Sequence, residues 1–473
     1  MQSRRDQVQA YFFVVGRLVS AMMRASPDDQ TTPTRRFVMG TVIGTLLGAL
    51  VVAGFGIVGM IFPGGNTSWQ AEGTIVVEKE TGARYLYLNG TLRPVLNYSS
   101  ALLARDQSGG DPKLVSQNSL RGTPRGTPIG IPGAPDSIPE RENLSRAPWV
   151  VCARTVTKPS GEQVPITHLR VGGDPNRGLG SDEGVVVSTP DGTEYLVWQG
   201  RRLRLTGRSV IEALGYGDVV PFPVTTSWIN TIPSGPDIAA PDIPDAGSQA
   251  PKVAGEPATV GRIYEMRNPA LDSESSFYVM RSDGLSSLTP LVASLLLTDP
   301  SSGAKPVEIG PEALSTTPIS ETDSTPQGYP AVPPTPEEIS RGGNTRPCAS
   351  FRIGSGQSNT PTITVAPRDR STTKTETGSE SVAERITVPA GRGVLARDLP
   401  APGVAGGTNY LVTSLGVKYP LATPEVAGVL GYGGTEPVAV PGALLSLLPS
   451  GPSLDPSTAT VTRKPGTTGD SSP

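Results

Sequence analysis

Residues Tyr195 to Gly217 read YLVWQGRRLRLTGRSVIEALGYG, and residues Tyr410 to Gly433 read YLVTSLGVKYPLATPEVAGVLGYG. Each opens on an apolar-aromatic run, passes a turn, continues as a second short strand and ends in a helical stretch closed by Gly-Tyr-Gly. Further on, Pro233-Ser234-Gly235-Pro236 returns as Pro449-Ser450-Gly451-Pro452, so the copied block is longer than the motif. Two weaker copies are Tyr85 to Ala104, YLYLNGTLRPVLNYSSALLA, and Phe277 to Leu297, FYVMRSDGLSSLTPLVASLLL.

Local chemistry supports a hairpin followed by a short helix in each copy. Asn89-Gly90 is a hairpin turn; Thr289 with Pro290, and Thr423 with Pro424 and Glu425, read as helix starts; Gly431 suits a left-handed exit. One such unit is too small to bury a core, so the units must pack on one another or on a common sheet. The expected fold is a β-rich α+β domain of repeated strand-strand-helix units around a central sheet region.

The repeats fall near residues 72–104, 184–232, 260–298 and 388–449, with the central region at about 105–183 and 299–387. Asp106–Pro148, Pro233–Pro257 and Thr316–Pro347 are rich in Pro, Gly and Ser and read as ordered irregular loops or linkers, and residues 450–473 read as a disordered tail.

Ahead of the repeats, Phe37 to Phe62 is an uncharged run, FVMGTVIGTLLGALVVAGFGIVGMIF. As a helix it reaches roughly 39 Å, enough for a bilayer core of about 30 Å with tilt. It is too long, and too far from the start, for the apolar region of a cleaved signal peptide. Arg17, Arg24, Arg35 and Arg36 precede it, whereas Lys79 alone follows within twenty residues. Cations mark the cytoplasmic flank, so residues 1–36 are expected inside, 37–62 in the cell membrane and 63–449 outside, in a single-pass protein.

Gly40, Gly44 and Gly48, spaced by four, stack bare backbone on one face of this helix and form a candidate packing surface. In residues 1–36, Val8, Tyr11, Phe12, Val15, Leu18, Val19 and Met22 recur at helical spacing among arginines, which suits a helix lying on the membrane surface or docked on a cytoplasmic partner.

Forty basic residues face forty-three acidic ones, a formal charge of −3, so no global field favours nucleic acid. The 56 glycines and 49 prolines confine regular structure to short elements. With one histidine, His168, and two cysteines, no metal cage is expected. His168 has no GxSxG or cysteine-protease setting beside it and reads as a residue in a turn or on a strand surface. No GxxxxGK[ST] loop occurs; the glycine-dense stretches Gly172–Gly180, Gly354–Gln357 and Gly403–Gly407 read as turns, and Asp182-Glu183 as a turn edge. No catalytic residue is therefore assigned.

Cys152, in WVVCAR, and Cys348, in RPCASF, each stand where a linker gives way to an apolar strand. Outside the cytoplasm two lone cysteines usually pair, and closing so long a loop contributes roughly 5 kcal/mol at most; the alternative is two unpaired buried thiols.

Longer strings carry a family resemblance: Pro63-Gly64-Gly65-Asn66-Thr67-Ser68-Trp69, Glu78-Lys79-Glu80-Thr81-Gly82-Ala83-Arg84-Tyr85, Leu92-Arg93-Pro94-Val95-Leu96-Asn97-Tyr98 and Pro128-Ile129-Gly130-Ile131-Pro132-Gly133-Ala134-Pro135-Asp136. With the cysteines in their Trp149-Val150-Val151-Cys152 and Pro347-Cys348-Ala349 settings, the chain closely resembles the EccB component of actinobacterial type VII (ESX) secretion systems. The resemblance implies a structural subunit of the secretion channel that self-associates and joins an FtsK/SpoIIIE-type ATPase (EccC), the polytopic EccD and EccE, near a mycosin protease. It also implies a repeat domain with a bridging disulfide, similar to a phage-lysin-like cell-wall-binding fold. On that likeness Tyr195, Trp198, Tyr410 or Tyr432 would contact peptidoglycan, the alternative being that they fill the core. Some family members carry an ATPase label; ATP is a cofactor here by that label alone, since the nucleotide loop is missing.

Overall fold

The computed structural model describes residues 4–24, 33–61, 67–105, 111–173, 178–267, 275–298, 305–339, 345–354, 360–367, 382–399 and 407–463. Two helices lead the chain, α1 (Arg4–Arg24) and α2 (Pro33–Ile61); α2 starts four residues before the uncharged run, at a proline whose fixed φ suits a first helical turn.

All four repeats share one topology, fuller than strand-strand-helix. In the first, Ile75–Glu78, Arg84–Leu88 and Thr91–Pro94 form an antiparallel meander, the helix Tyr98–Ala104 crosses one face, and Lys113–Val115 returns parallel to the first strand. The second repeat runs Glu183–Ser188, Glu194–Trp198, Arg201–Leu205, helix Arg208–Ala213 and Phe222–Pro223. The third runs Ile263–Met266, Ser276–Met280, Leu285–Leu288, helix Pro290–Thr298 and Val307–Ile309. The fourth runs Val394–Leu399, Asn409–Val412, Lys418–Pro420, helical turn Gly428–Tyr432 and Val438–Pro441. The returning strand lies outside the expected limits of the first and third repeats, which end at 104 and 298, because its parallel pairing leaves no hairpin signal in the sequence.

The linkers are ordered and carry pairing of their own. Part of each runs beside a repeat's third strand as an extended segment: Leu92 bridges Arg125, Arg202 bridges Ser234 and Leu285 bridges Ile319 in parallel. The tail does the same, since Lys418 bridges Ser450 and Leu421 bridges Leu454. Residues 450–463 are therefore not a disordered tail: Leu454 and Ala459 are fully buried and Thr462 bridges Ile129 of the first repeat's flank. Residues 464–473 lie outside the described residues.

Asn89 and Gly90 both have positive φ, the signature of a two-residue hairpin turn, and Gly431 takes the left-handed exit. Thr289 caps its helix through the side chain, accepting from the Val292 amide at 3.4 Å. Thr423 instead accepts the Val426 amide through its carbonyl, as a turn before the fourth repeat's helix.

The central sheet has the order Thr362–Pro367, Thr345–Phe351, Trp149–Thr157, Gln163–Val171, Arg385–Thr387. Strand alternation sends Trp149, Val151, Ala153, Ala349 and Phe351 into the largest core, where Val187 and Val197 of the second repeat and Ala396 and Val412 of the fourth meet them. Val150, Cys152, Cys348 and Ala366 occupy the opposite face. Trp228 is fully buried and its indole N–H donates to the Val151 carbonyl at 3.0 Å, fixing the helix Thr226–Asn230 on the sheet.

Pairing of the repeats is crossed. The first packs with the fourth, through Leu86, Leu102 and Leu103 against Leu411, Tyr419 and Leu430. The second packs with the third, through Leu203 and Val210 against Leu291 and Leu295. Each lobe thus takes one repeat from each half of the chain, and the antiparallel strands bearing Cys152 and Cys348 run between the two halves. The intervening segments obey the same relation: Leu144 bridges Gly393 at the start of the fourth repeat, and Thr335 pairs with Glu183 at the start of the second. This is a duplicated half-chain arranged about the central strand pair.

Candidate functional site

Three places could carry function: the membrane-proximal helices, the disulfide region of the central sheet, and the aromatic side chains of the repeats. In α2 a side chain added at Gly40, Gly44 or Gly48 would meet nothing within 4 Å, so the glycine stripe is an open face. Thr41 and Thr45 donate to the Phe37 and Thr41 carbonyls at 2.8 Å, which satisfies both hydroxyls within the helix. Residues Arg36–Ile57 are long and apolar enough to cross a membrane. Arg36 is exposed at the helix start and Arg17 lies in α1, 5.7 Å from the centre of the Phe13 ring; Arg24 and Arg35 belong to the helices, but their side chains lie outside the described residues.

Cys152 and Cys348 are bonded to each other, as register partners on adjacent strands. Beside them the structure corrects the reading of His168. It sits on strand Gln163–Val171 opposite Cys152, but it is 1% exposed, because neighbouring structure buries both faces of this sheet. Its Nε2 is 2.9 Å from the Thr387 hydroxyl. Burial, together with the positive charges of Arg385, Arg346, Arg154 and Arg170, pushes its pKa down to about 3. The imidazole is therefore neutral at physiological pH. Arg154 and Arg346 are themselves buried, and sequence reading passed over them; the available signal was that each stands two residues from a cysteine, on the cysteine's own face.

The aromatic residues are engaged internally. Tyr432 is buried and its hydroxyl donates to the Pro139 carbonyl at 2.7 Å; Tyr216, its partner in the second repeat, donates in the same way to Pro334. The two Gly-Tyr-Gly motifs thus lock equivalent proline-rich segments onto the two lobes. Burial pushes both phenols up, that of Tyr432 also through nearby Tyr98. Trp198 donates its indole N–H to the Ser181 carbonyl at 2.7 Å, and the Lys418 ammonium lies 5.8 Å from the Tyr410 ring centre. Tyr195 and Tyr410 pack half-buried against the main core. These four side chains fill and brace the fold rather than forming an exposed aromatic platform.

Two open clefts flank the exit of the fourth repeat's helix. One, of about 300 Å³, is lined by Arg397, Asn409 and Glu425; the other, of about 550 Å³, by Arg141, Arg146 and Glu436. Among the described residues no three His, Cys, Asp or Glu side chains are grouped to hold a metal ion. Gly172 turns with positive φ, whereas residues 174–177, 355–357 and 403–406 of the glycine-dense stretches lie outside the described residues. Asp182 and Glu183 form a turn edge, Glu183 accepting from the Gly180 amide at 2.8 Å.

Residues 1–465 match the family model for the type VII secretion system ESX-1 transport TM domain B. The ESX-3 secretion system ATPase EccB3 of Mycolicibacterium smegmatis is 29% identical, over 97% of this chain and 90% of its own length. The ESX-5 secretion system ATPase EccB5 of Mycobacterium tuberculosis is 27% identical, over 97% and 93%. Among solved structures, an EccB3 dimer from the ESX-3 core complex matches with a TM-score of 0.66 at 28% identity, over 82% of this chain and 100% of that one. A chain of an intact ESX-5 inner membrane complex matches with a TM-score of 0.67 at 24% identity, over 100% and 98%.

Proposed function

Since the chain belongs to the EccB family, the ESX transport TM domain B proteins of type VII secretion, we propose that it serves its secretion complex as a structural subunit rather than as an enzyme. The observation that carries this reading is where apolar surface remains. The repeats and central sheet spend their large hydrophobic side chains on shared cores, whereas most exposed ones among the described residues lie on α1 and α2. Contacts with other subunits then start at the membrane, where the glycine stripe of α2 allows close helix packing. The arginines ahead of α2 favour a cytoplasmic N-terminus and put the large domain outside the cell membrane.

In this arrangement α2 packs on the polytopic EccD and neighbouring EccC and EccE, a mycosin lies close by, and a second copy of the chain pairs with the external domain. The dimeric EccB3 relative supports self-association. The curated relatives carry ATPase in their names, but this sequence has no GxxxxGK[ST] loop.

Purification of the complex by a tag on this chain tests the proposal. The other membrane subunits are expected to co-purify, and Asp182→Ala and Glu183→Ala are expected to leave both assembly and secretion intact. Saturable ATP binding by the intact chain, or loss of secretion from one external carboxylate substitution in a fully assembled complex, would replace the structural reading with an enzymatic one. Co-sedimentation with peptidoglycan that depends on Tyr195 or Tyr410 would favour the cell-wall reading.

A further inference from the structure

Among the described residues helix α1 carries an apolar stripe that is largely exposed, Val19 alone being half-buried. Val8, Tyr11, Phe12, Leu18 and Met22 are each more than half exposed, and they recur at the three- and four-residue spacing that places them on one side of a helix. Ser20, on the other side, is the buried residue. A helix whose apolar stripe faces water while a serine is covered needs a further surface against that stripe.

The charges identify the surface. Arg4 and Arg5 open the helix, Arg17 and Arg24 follow the stripe to its other end, and Asp6 is the one acid in it. A field of that sign complements an anionic lipid leaflet, and the aromatic pair Tyr11-Phe12 on the stripe is of the kind that settles at the boundary between headgroups and acyl chains. The connection to the membrane is short. Eight residues separate Arg24 from Pro33, and the nine steps between them allow at most about 32 Å between α1 and the start of α2. Tethering at that distance turns lipid binding into an intramolecular step, so an affinity too weak for a free helix still holds this one down.

We propose that α1 lies along the anionic lipid surface at the cytoplasmic mouth of α2, with Val8, Tyr11, Phe12, Val15, Leu18 and Met22 immersed in the headgroup and acyl boundary. This rests on the reading that the chain before Phe37 is cytoplasmic. In this position α1 fixes the rotation and depth of α2, and so the direction in which its glycine stripe faces its neighbours.

The disulfide gives a clean experiment, because both native cysteines are occupied and one introduced thiol is the unique site for a fluorophore. Leu18→Cys and, on the polar side, Gln9→Cys are each labelled with an environment-sensitive dye in the full chain, reconstituted into phosphatidylglycerol-containing vesicles with or without brominated acyl chains. The Leu18→Cys label is expected to be quenched by about threefold or more and the Gln9→Cys label much less. Quenching is expected to fall in purely zwitterionic vesicles and when Arg4, Arg5 and Arg17 are changed together to Gln.

A membrane-impermeant thiol reagent separates failure of the topology from failure of the proposal. Reaction at Leu18→Cys from the side of the large domain refutes the cytoplasmic placement. Reaction from the opposite side without quenching refutes lipid docking alone. A dye that stays unquenched in vesicles and is shielded only when the other subunits are present makes the occupant a protein, and the lipid assignment falls.

Discussion

Cys152 and Cys348 face each other as register partners on two hydrogen-bonded antiparallel strands, so their bond ties together segments that the fold already holds side by side. Its effect therefore falls on the unfolded chain, where it closes a loop spanning 196 positions. Replacing both cysteines with Ala is expected to preserve the circular dichroism spectrum while lowering unfolding stability by about 2–5 kcal/mol. An unchanged denaturation midpoint would show that the bond adds nothing, and free thiols in the denatured, unreduced protein would show that it does not form.

His168 gives stability a pH dependence. Its folded pKa, about 3, is lower than its ordinary value of 6.5, so the unfolded chain takes up the proton first. Stability from keeping this group neutral is complete above about pH 6.5 and declines as pH falls toward 3, at a limiting slope of about 1.4 kcal/mol per unit. The facing groups named with the histidine are arginines, which stay charged across this window and do not reverse the sign. His168→Gln is expected to flatten the stability profile between pH 4 and 6. A profile as steep as that of the unchanged protein would assign the dependence to carboxylates instead.

The repeated Pro-Ser-Gly-Pro motif has a packing cause. A Cβ at Gly235 would overlap Leu203 Cδ2, and one at Gly451 would overlap Tyr419 Cε1, because each glycine passes directly over its repeat's third strand. Gly451→Ala is expected to cost about 1–3 kcal/mol in denaturation experiments, since the Tyr419 ring is buried and cannot swing clear. At Gly428 an added Cβ meets nothing within 4 Å, so Gly428→Ala is the control, with no loss expected. Equal effects from the two changes would dismiss the close approach as the cause.

The hairpins and helices of the repeats were legible because apolar runs, turn residues and Gly-Tyr-Gly recur in order. Their returning strands were not. Phe222–Pro223 is two residues long and pairs in parallel with Val187 and Ser188, a contact that depends on packing far along the chain. The linkers concealed extended segments because proline masks a strand pattern, although carbonyls such as those of Pro124 and Pro233 still accept ladder hydrogen bonds. The depth of His168 was hidden for a similar reason: nothing local reveals that its sheet is covered on both faces.

Because residues 453–463 pack on the first repeat, shortening the chain after Pro452 should affect a region that is remote in sequence. Leu454 and Ala459 lie in the core shared by the first and fourth repeats. Truncation there, or the milder Leu454→Ala, is expected to destabilise that lobe by about 2–5 kcal/mol. Protease sites around residues 98–144 should open before those in the lobe formed by the second and third repeats. Uniform cleavage of both lobes, or none, would mean that the C-terminal segment does not hold the first repeat in place.

The glycine stripe of α2 is the sharpest test of the structural role. A Cβ at position 44 meets no atom of the described residues within 4 Å beyond its own stretch of helix, so Gly44→Leu is expected to leave the folded subunit undisturbed, and leucine's apolar character keeps insertion favourable. In the complex the same side chain would hold a neighbouring helix away and remove the close backbone contacts that stabilise helix pairs in lipid, where no hydrophobic gain compensates. Gly44→Leu is therefore expected to reach the membrane at normal levels, with its disulfide formed, and yet to co-purify with the other channel subunits several-fold less well. Ala49→Leu, at a small exposed residue about 140° round the helix from Gly44, is the matched control and should assemble normally. If both variants assemble fully, the stripe is only composition and subunit contacts must be sought on the large domain; if both fail alike, the helix is sensitive to bulk in general rather than along that face.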